Sequence, residues 1–266
     1  MMLFKSKKII LFLITVMTCS LFYSCVDEPV IEHVKMPYTA YQMVNLLNNV
    51  DNAIVDIIDH RDTLVAVQSG ISLAKGARIP YKDINSGDWI FKIKDASGTT
   101  IFNSKLGQKL SSYEDAIVLL YGNYDPNPDV TTVSSIYLFN GMTYLNDYFP
   151  PADSSIVAFV NASYTDGVDD PTGISKVALE NTATPGVVDT VFFDADIPSG
   201  EYLRANVKSG NYNIQFIHTT DGTQTEIASG VVDIVAGKLS YVVLNGAFGQ
   251  ETLSSFNETP TNARPK

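Results

Sequence analysis

Apolar and polar residues alternate along several short segments of the chain. Residues 89–93 and 212–216 place aromatic and branched side chains at every second position, with Lys, Asn and Gln between them. A period of two predicts antiparallel strands with one buried face. Turn pairs such as Ser-Gly and Asp-Gly recur about every ten residues, which favours a β-sandwich over a βαβ arrangement.

The alternating pattern occurs twice. Residues 86–99 line up with residues 209–223, and the nearly all-apolar residues 116–122 line up with 239–246. Further upstream, residues 44–48 correspond to residues 157–161. The copies lie roughly 115 to 125 residues apart, the size of one ordinary domain, so we expect two tandem β-sandwiches. Strands as apolar as these belong at the centre of a sheet.

One segment also fits a helix. Met43, Leu46, Leu47, Val50 and Ile54 follow the spacing of an amphipathic helix. Four asparagines within the same stretch are poor helix formers. The match between residues 44–48 and 157–161 favours a strand.

The second copy carries a family resemblance. Residues 150–163, which end in Val-Asn-Ala-Ser, resemble the opening of domains in the Domain of Unknown Function 4397 family. Residues 209–212 and 236–243 are similar to later landmarks of that family. The resemblance implies an immunoglobulin-like sandwich on an exported protein without established activity, and it carries over no catalytic residues.

The predicted organisation is a signal peptide, a short tether, a first sandwich domain with a following hairpin around Asn140-Gly141, a second sandwich domain and a disordered tail. These segments cover residues 1–24, 25–33, 34–146, 147–252 and 253–266, respectively.

The first 24 residues predict export. Three lysines precede the apolar residues 9–17, a run too short to span a bilayer. Residues 21–25 resemble the lipobox of Gram-negative lipoproteins, which implies acylation of Cys25; Cys19 is the weaker alternative. Several acyl chains would hold the protein on a membrane essentially permanently. An acidic pair at residues 27–28 resembles signals for the outer face of the outer membrane, so we expect a lipid-anchored protein facing the exterior.

The composition limits both the class of protein and the kinds of partner that it binds. The 266 residues carry a net charge of −11 and include only 2 Cys. The low cysteine content excludes a disulfide scaffold. The acidic balance, without a basic stripe, argues against nucleic-acid binding.

Catalytic motifs are few. Ser72 and Lys75 match the Ser-x-x-Lys motif of penicillin-interacting enzymes. The Ser-Asp-Asn and Lys-Thr-Gly motifs that complete such a site are absent from the sequence. His33, His60 and His218 lie in separate segments without metal-ligand spacing. We therefore expect no enzyme activity and no cofactor.

Asp166, Asp169 and Asp170 surround a glycine and are candidate oxygen ligands of a weak calcium site. A solvated polar turn is the favoured interpretation of the same residues.

Aromatic residues cluster between the two copies, in residues 121–149. Tyr144, Tyr148 and Phe149 are the candidate ligand-binding residues, because exposed rings stack on sugar faces. Packing between domains is the favoured alternative. Trp89 and Tyr212 share the buried face of their strands and are expected to fill cores.

These features favour a non-enzymatic cell-surface lipoprotein that acts as an interaction or structural module with a glycan or protein partner. The alternative is a carbohydrate-binding outer-membrane lipoprotein of a glycan-uptake system. A hydrolase using Asp166 and Asp169 is the least favoured hypothesis.

Overall fold

A computed structural model describes residues 38–104, 108–110, 115–125, 135–141, 152–164, 173–182, 190–247 and 249–258. In these ranges the chain forms β-strands and no helix. The strands of the first half are β1 (Tyr38–Asn48), β2 (Asn52–Asp59), β3 (Asp62–Ala74), β4 (Lys82–Asn85), β5 (Gly87–Lys94), β6 (Thr100–Asn103), β7 (Gln108–Leu110), β8 (Asp115–Asn123) and β9 (Ser135–Gly141). Those of the second half are β10 (Ser154–Tyr164), β11 (Ile174–Asn181), β12 (Thr190–Ile197), β13 (Tyr202–Lys208), β14 (Gly210–Thr220), β15 (Thr223–Ile234), β16 (Leu239–Ala247) and β17 (Thr252–Glu258).

The strands form two sandwiches of two sheets each. In the first sandwich, an inner sheet of order β4-β1-β8-β9 packs on an outer sheet of order β3-β2-β5-β6, with β7 also paired to β5. In the second sandwich, the inner sheet is β13-β10-β16-β17 and the outer sheet is β12-β11-β14-β15. The all-β fold of tandem immunoglobulin-like antiparallel sandwiches predicted from the sequence is confirmed.

One pairing in each inner sheet is parallel. Strand β1 runs parallel to β8, and β10 runs parallel to β16, whereas the remaining ladders between the described strands are antiparallel. These partners lie about 75 to 85 residues apart in the chain. Local sequence patterns do not reveal such distant pairings.

The alternating segments lie in the outer sheets. Along β5, Trp89, Phe91 and Ile93 are buried while the residues between them are half-buried. Strand β14 repeats this pattern from Tyr212 to Phe216. An outer sheet has one face on the core and one in solvent, so the predicted alternation is confirmed.

The continuously apolar segments lie in the inner sheets, where both faces are buried. On β8, Val118 and Leu120 face the core of the first sandwich, whereas Leu119 faces the second sandwich. All eleven residues of β10 are buried. As predicted, β8 and β16 occupy central positions, because each has neighbouring strands on both sides.

The outward faces of the two inner sheets pack against each other in one apolar cluster, here called the seam. Its buried members are Val44, Leu46, Ile117, Leu119, Tyr121, Ile156, Ala158, Val160, Ala162, Tyr164, Leu239, Tyr241 and Val243. Both sandwiches accordingly belong to one compact unit of the chain.

Residues 43–48 form part of β1, so the strand interpretation is correct and the helical one is wrong. The predicted alignment of this strand, however, is shifted by three residues. Asn45, rather than Asn48, occupies the position of Asn161: Asn45 pairs with Leu120 and Asn161 pairs with Leu244 in equivalent ladders.

Each of these two asparagines is fully buried and ties its strand to a neighbouring segment. The Asn45 amide donates to the Leu73 carbonyl at 3.0 Å, and its oxygen accepts from the Leu47 N–H at 3.0 Å. The Asn161 amide donates to the Ile197 carbonyl at 2.9 Å. Buried amides with satisfied partners fix strand ends without leaving backbone groups unpaired.

Two predictions about irregular segments are wrong. The tail predicted to be disordered from residue 253 contains β17, which pairs with β16 up to Glu258. The Asn140-Gly141 turn is instead the end of β9, paired with Val118 and Ile117. β17 and β9 are held by backbone pairing along one side of β16 and of β8, and composition does not reveal such pairing.

The end of β16 requires a glycine. Gly246 has φ of 143°, and a Cβ there would lie 2.7 Å from the Gln250 carbonyl oxygen. The following turn to β17 therefore passes directly over the Gly246 backbone.

Candidate functional site

The residues that the sequence proposed for anchoring and binding lie outside the described ranges. They are Cys25, Tyr144, Tyr148, Phe149, Asp166, Asp169 and Asp170, and all of these assignments stay predictions. Within the described ranges there is no group of three or more His, Cys, Asp or Glu side chains placed to hold a metal ion.

Two members of the aromatic cluster between the copies, Tyr121 and Tyr137, lie in the described ranges and pack against each other. Tyr121 is buried in the seam and stacks on Tyr137 with ring centroids 5.3 Å apart. Burial raises the pKa of Tyr121 to about 12, despite a hydrogen bond with Ser199. Tyr137 is 37% exposed. Tyr121 therefore contributes to packing between the sandwiches rather than to an open ligand surface.

The rings of Trp89 and Tyr212 fill the cores, as predicted. Each is 5% exposed. The Trp89 indole N–H donates to the Asn85 carbonyl at 3.1 Å, which satisfies its buried donor.

The weak catalytic candidates have structural partners. The Ser72 hydroxyl donates to the Asn52 side chain at 2.9 Å, and the Lys75 ammonium donates to the Asn48 side chain at 3.2 Å. Both bonds are exposed, so neither residue is set up as a nucleophile or base. The ring of His218, on β14, bonds the Gly173 carbonyl through Nδ1, as expected for a strand position.

The seam ends at a polar clasp formed by Arg78 from the first half and by β17. The Arg78 guanidinium pairs with the Glu258 carboxylate, donates to the Asn257 carbonyl at 3.4 Å and lies 5.7 Å from the Phe256 ring centroid. Burial raises the pKa of Glu258, and the opposing effects of Arg78 and Gln42 are smaller. The clasp thus joins the last described strand to the first sandwich.

A chain of side-chain hydrogen bonds anchors the same strand inside the second sandwich. Ser155 and Ser240 share a bond of 2.7 Å, and Ser240 donates to the Asn257 side chain at 2.5 Å. The Asn257 amide then donates to the Asp233 carbonyl at 2.9 Å. Asn257 thereby links β16 to β15, on the opposite sheet.

An ion pair lies on the outer sheet of the first sandwich. The Lys94 ammonium is 2.5 Å from Asp56, which also accepts from the Gly70 N–H at 2.9 Å. Burial raises the pKa of Asp56, but the hydrogen bonds from Lys94 and Gly70, together with the charges of Lys94 and Lys92, lower it by more, so the net shift is downward. Asp56 sits where the β2–β3 register shifts, so it stabilises an irregular part of the sheet.

Among the surface clefts that the described residues line, two are considered as ligand sites. One, of about 360 Å³, lies beside the clasp and includes Gln42, Arg78 and Tyr81. The other, of about 350 Å³, opens between the two sheets of the second sandwich. It is here called the lateral cleft, and it is lined by Asn181, Phe193, Asn206, Val207, Lys208, Ser209 and Tyr212. Sequence reasoning missed both clefts, because their walls combine strands that are distant in the chain.

The chain has no match among protein-family models or curated proteins. Membership of the Domain of Unknown Function 4397 family therefore stays a prediction. Among the described residues there is no apolar helix of membrane-spanning length.

Solved structures of low similarity exist. A candidate cell adhesion protein of Bacteroides ovatus is 10% identical, with 83% of this chain and 96% of that chain covered and a TM-score of 0.27. One of Bacteroides fragilis is 11% identical over 81% and 86% of the two chains, with a TM-score of 0.26. A leucine-rich repeat protein of Bacteroides thetaiotaomicron is 9% identical with a TM-score of 0.22; the match covers 84% of this chain and 27% of that one. At these values the similarities carry no argument about function.

Proposed function

We propose that the protein is a non-enzymatic lipoprotein of the cell surface whose two fused sandwiches act as a rigid structural or interaction module. The seam carries this proposal. Tandem domains joined only by a linker move relative to each other by default, unless their interface is large and hydrophobic. Here thirteen buried side chains from both halves form one apolar cluster.

The clasp supports the same conclusion from the edge of the seam. Arg78 contacts three consecutive residues of β17, and the Asn245 amide donates to the Leu46 carbonyl at 3.3 Å across the two halves. Polar contacts at the rim of an apolar interface fix its orientation. A rigid block of this kind suits a part that holds a fixed shape at a surface.

The perturbed ionisable groups serve structure. Asp56 binds Lys94, Glu258 binds Arg78, and the Tyr41 hydroxyl, whose pKa burial raises, donates to Gln68. Glu258 also lines the cleft beside the clasp, where its partner is Arg78 and burial is the cause of its raised pKa.

Anchoring is tested on intact cells of the source bacterium. Mass spectrometry should find an acylated N-terminal Cys25, and protease treatment of whole cells should digest the protein. A Cys25→Ser variant should lose the acyl groups and leave the membrane fraction. An unmodified, uncleaved N-terminus would refute the anchor, and resistance to protease in cells that digest a known surface protein would refute the outward orientation.

The absence of turnover is tested with the purified protein on panels of ester, peptide and glycoside substrates. We expect no activity above that of a heat-denatured sample. An activity that disappears on one substitution, such as Ser72→Ala or Asp56→Asn, would overturn the proposal, provided that the variant keeps the wild-type melting temperature.

A further inference from the structure

We propose that copies of this protein associate head to tail through the solvent-facing sides of their two outer sheets. The side of β2, β3, β5 and β7 that carries Ile58 and Ile90 is here called the first outer face. The side of β11, β12, β14 and β15 that carries Asn213 and Val231 is called the second outer face. The inference deepens the proposed function, on which it rests, because it gives the interaction module a partner, a second copy of this chain.

An apolar row crosses the first outer face. Ala66, Ile58 and Ile90 are cross-strand neighbours on β3, β2 and β5, and the adjacent Ile57 points into the core. Beside the row, Val67 is the extra residue of a bulge where β3 shifts register against β2, and it is 53% exposed. Since a bulge re-aims a side chain, it adds a large exposed apolar residue to this part of the surface.

The second outer face also carries an exposed valine. Val231 on β15 is 69% exposed and pairs with Asn213, which in turn pairs with Glu180. Among the described side chains, the exposed large apolar residues are Val67, Tyr137 and Val231. Two of these three therefore lie on the two outer sheets, one on each.

The two faces differ in charge. Along β2, β5 and β7, the first outer face carries three lysines and two aspartates, namely Lys92, Lys94, Lys109, Asp56 and Asp88. The described side chains of the second outer face include one lysine and five acids, namely Lys176, Glu180, Asp194, Asp196, Glu226 and Asp233. Contact between two second outer faces would oppose like charges, whereas contact between different faces brings lysines to carboxylates. Charge therefore favours the head-to-tail combination.

The duplication shows how the two faces have diverged. In the alignment of the two copies, Ile90 corresponds to Asn213. The ladders then align their cross-strand partners, Ile58 and Glu180. The same positions are thus apolar in the first copy and polar or acidic in the second, so the faces are equivalent in the fold but complementary in chemistry.

The order of the sheets allows the contact to repeat. The stack runs from the first outer sheet through the two inner sheets to the second outer sheet, so the two outer faces lie at opposite ends. A contact between different faces at opposite ends builds an open array rather than a closed dimer. Four strands about 4.8 Å apart and about seven residues long give a planar area of roughly 400 Å². This area is at the low end for a specific interface, so we expect weak association.

The test measures association of the acylated protein by sedimentation velocity in an excess of zwitterionic detergent micelles. The protein is studied up to about 0.5 mM, as a weak contact requires. We expect the average sedimentation coefficient to rise steadily with protein concentration at about 20 mM salt, and to rise less at about 500 mM salt, where exposed charges are screened.

Two variants and a matched control identify the faces. Val67→Asp and Val231→Asp each place a carboxylate within one face and should weaken association by about tenfold or more. An equimolar mixture of the two retains one intact copy of each face, so it should form dimers that do not grow further. Gln224→Asp adds the same charge at the exposed tip of the β14–β15 hairpin and should associate like the wild type.

Melting temperatures are recorded for all variants. If an aspartate variant does not keep the wild-type melting temperature, Val67→Ser or Val231→Ser replaces it and should weaken association in the same direction.

A wild-type protein that stays monomeric throughout this range would overturn the inference. Association that persists in both aspartate variants would overturn it too, as would be seen if the copies met through their lipid anchors. Loss in only one of the two variants, or a mixture that does not form dimers, would exclude the head-to-tail contact. Such a failure leaves the proposed function intact, since that is decided by the turnover panel and by surface digestion.

Discussion

If the seam is a true core, a single truncation in it must be costly. Leu119 is fully buried and faces the second sandwich, whereas the next residue, Leu120, is fully buried and faces the core of the first. The two residues lie on the same strand, have the same side chain and are equally buried. They differ only in which cluster they enter, so Leu119→Ala and Leu120→Ala form a matched pair.

The loss of unfolding free energy distinguishes a tightly packed seam from a loosely held surface contact. Leu→Ala in a packed core costs about 2–5 kcal/mol, through lost transfer free energy and a residual cavity. A substitution at a loosely held surface changes stability by only about 0.5 kcal/mol. With a urea m-value of about 3 kcal/mol/M, the first cost lowers the midpoint by about 1 M and the second by about 0.2 M. We expect both variants to lose about 1 M.

Urea titrations followed by two probes test this expectation. Trp89 is the only tryptophan of the chain and is buried in the first sandwich, so its fluorescence reports that half. Far-ultraviolet circular dichroism reports both halves. Coincident midpoints are expected in the wild type, since the seam couples the halves. A shift of about 0.2 M or less in Leu119→Ala, beside about 1 M in Leu120→Ala, would refute the reasoning.

Three further predictions follow from individual contacts. Asn161→Ala removes the bond to the Ile197 carbonyl and should cost about 1–3 kcal/mol by urea titration; Gln224→Ala, on the exposed hairpin tip, should cost little, and equal losses would contradict the role of the amide. The folded-state pKa of Glu258 is raised, so its contribution is most favourable below the unfolded pKa and declines as the pH rises through the folded pKa. Glu258→Gln should therefore gain stability relative to wild type between pH 4 and pH 7 in urea midpoints, and a pH-independent difference would contradict this. If the sequence-based alternative of glycan capture is correct, Tyr144→Ala or Tyr148→Ala should abolish polysaccharide retention in affinity gels without lowering the melting temperature; unchanged retention would remove that idea.

The sequence predicts those features that repeat over short distances. The alternation at Trp89, Phe91 and Ile93 follows from one buried face, so it can be detected locally. The continuous apolar runs of β8 and β16 correctly predict central strands. Their second buried face, however, belongs to the seam, and a strand pattern does not identify what covers it.

The errors have physical reasons too. Asparagines at 45, 48, 49 and 52 allow several alignments of β1, and only the hydrogen bond from Asn45 to the Leu73 carbonyl identifies the buried one. Strand β17 is polar on average, yet it is held by the backbone of β16 and by Arg78. The lateral cleft escaped prediction because Asn181, Phe193 and Lys208 meet only after two sheets have packed.

Because the two sandwiches are copies of one unit, the seam joins two equivalent faces. Val44 and Leu46 of the first copy occupy the ladder positions of Val160 and Ala162 in the second, so both copies use the same face. Contact between identical faces is the arrangement of a two-fold homodimer. Within this single chain, the second sandwich therefore occupies the place that a second subunit has in a homodimer. A fragment ending at Gly141 would expose the seam face of the first sandwich and should self-associate through it.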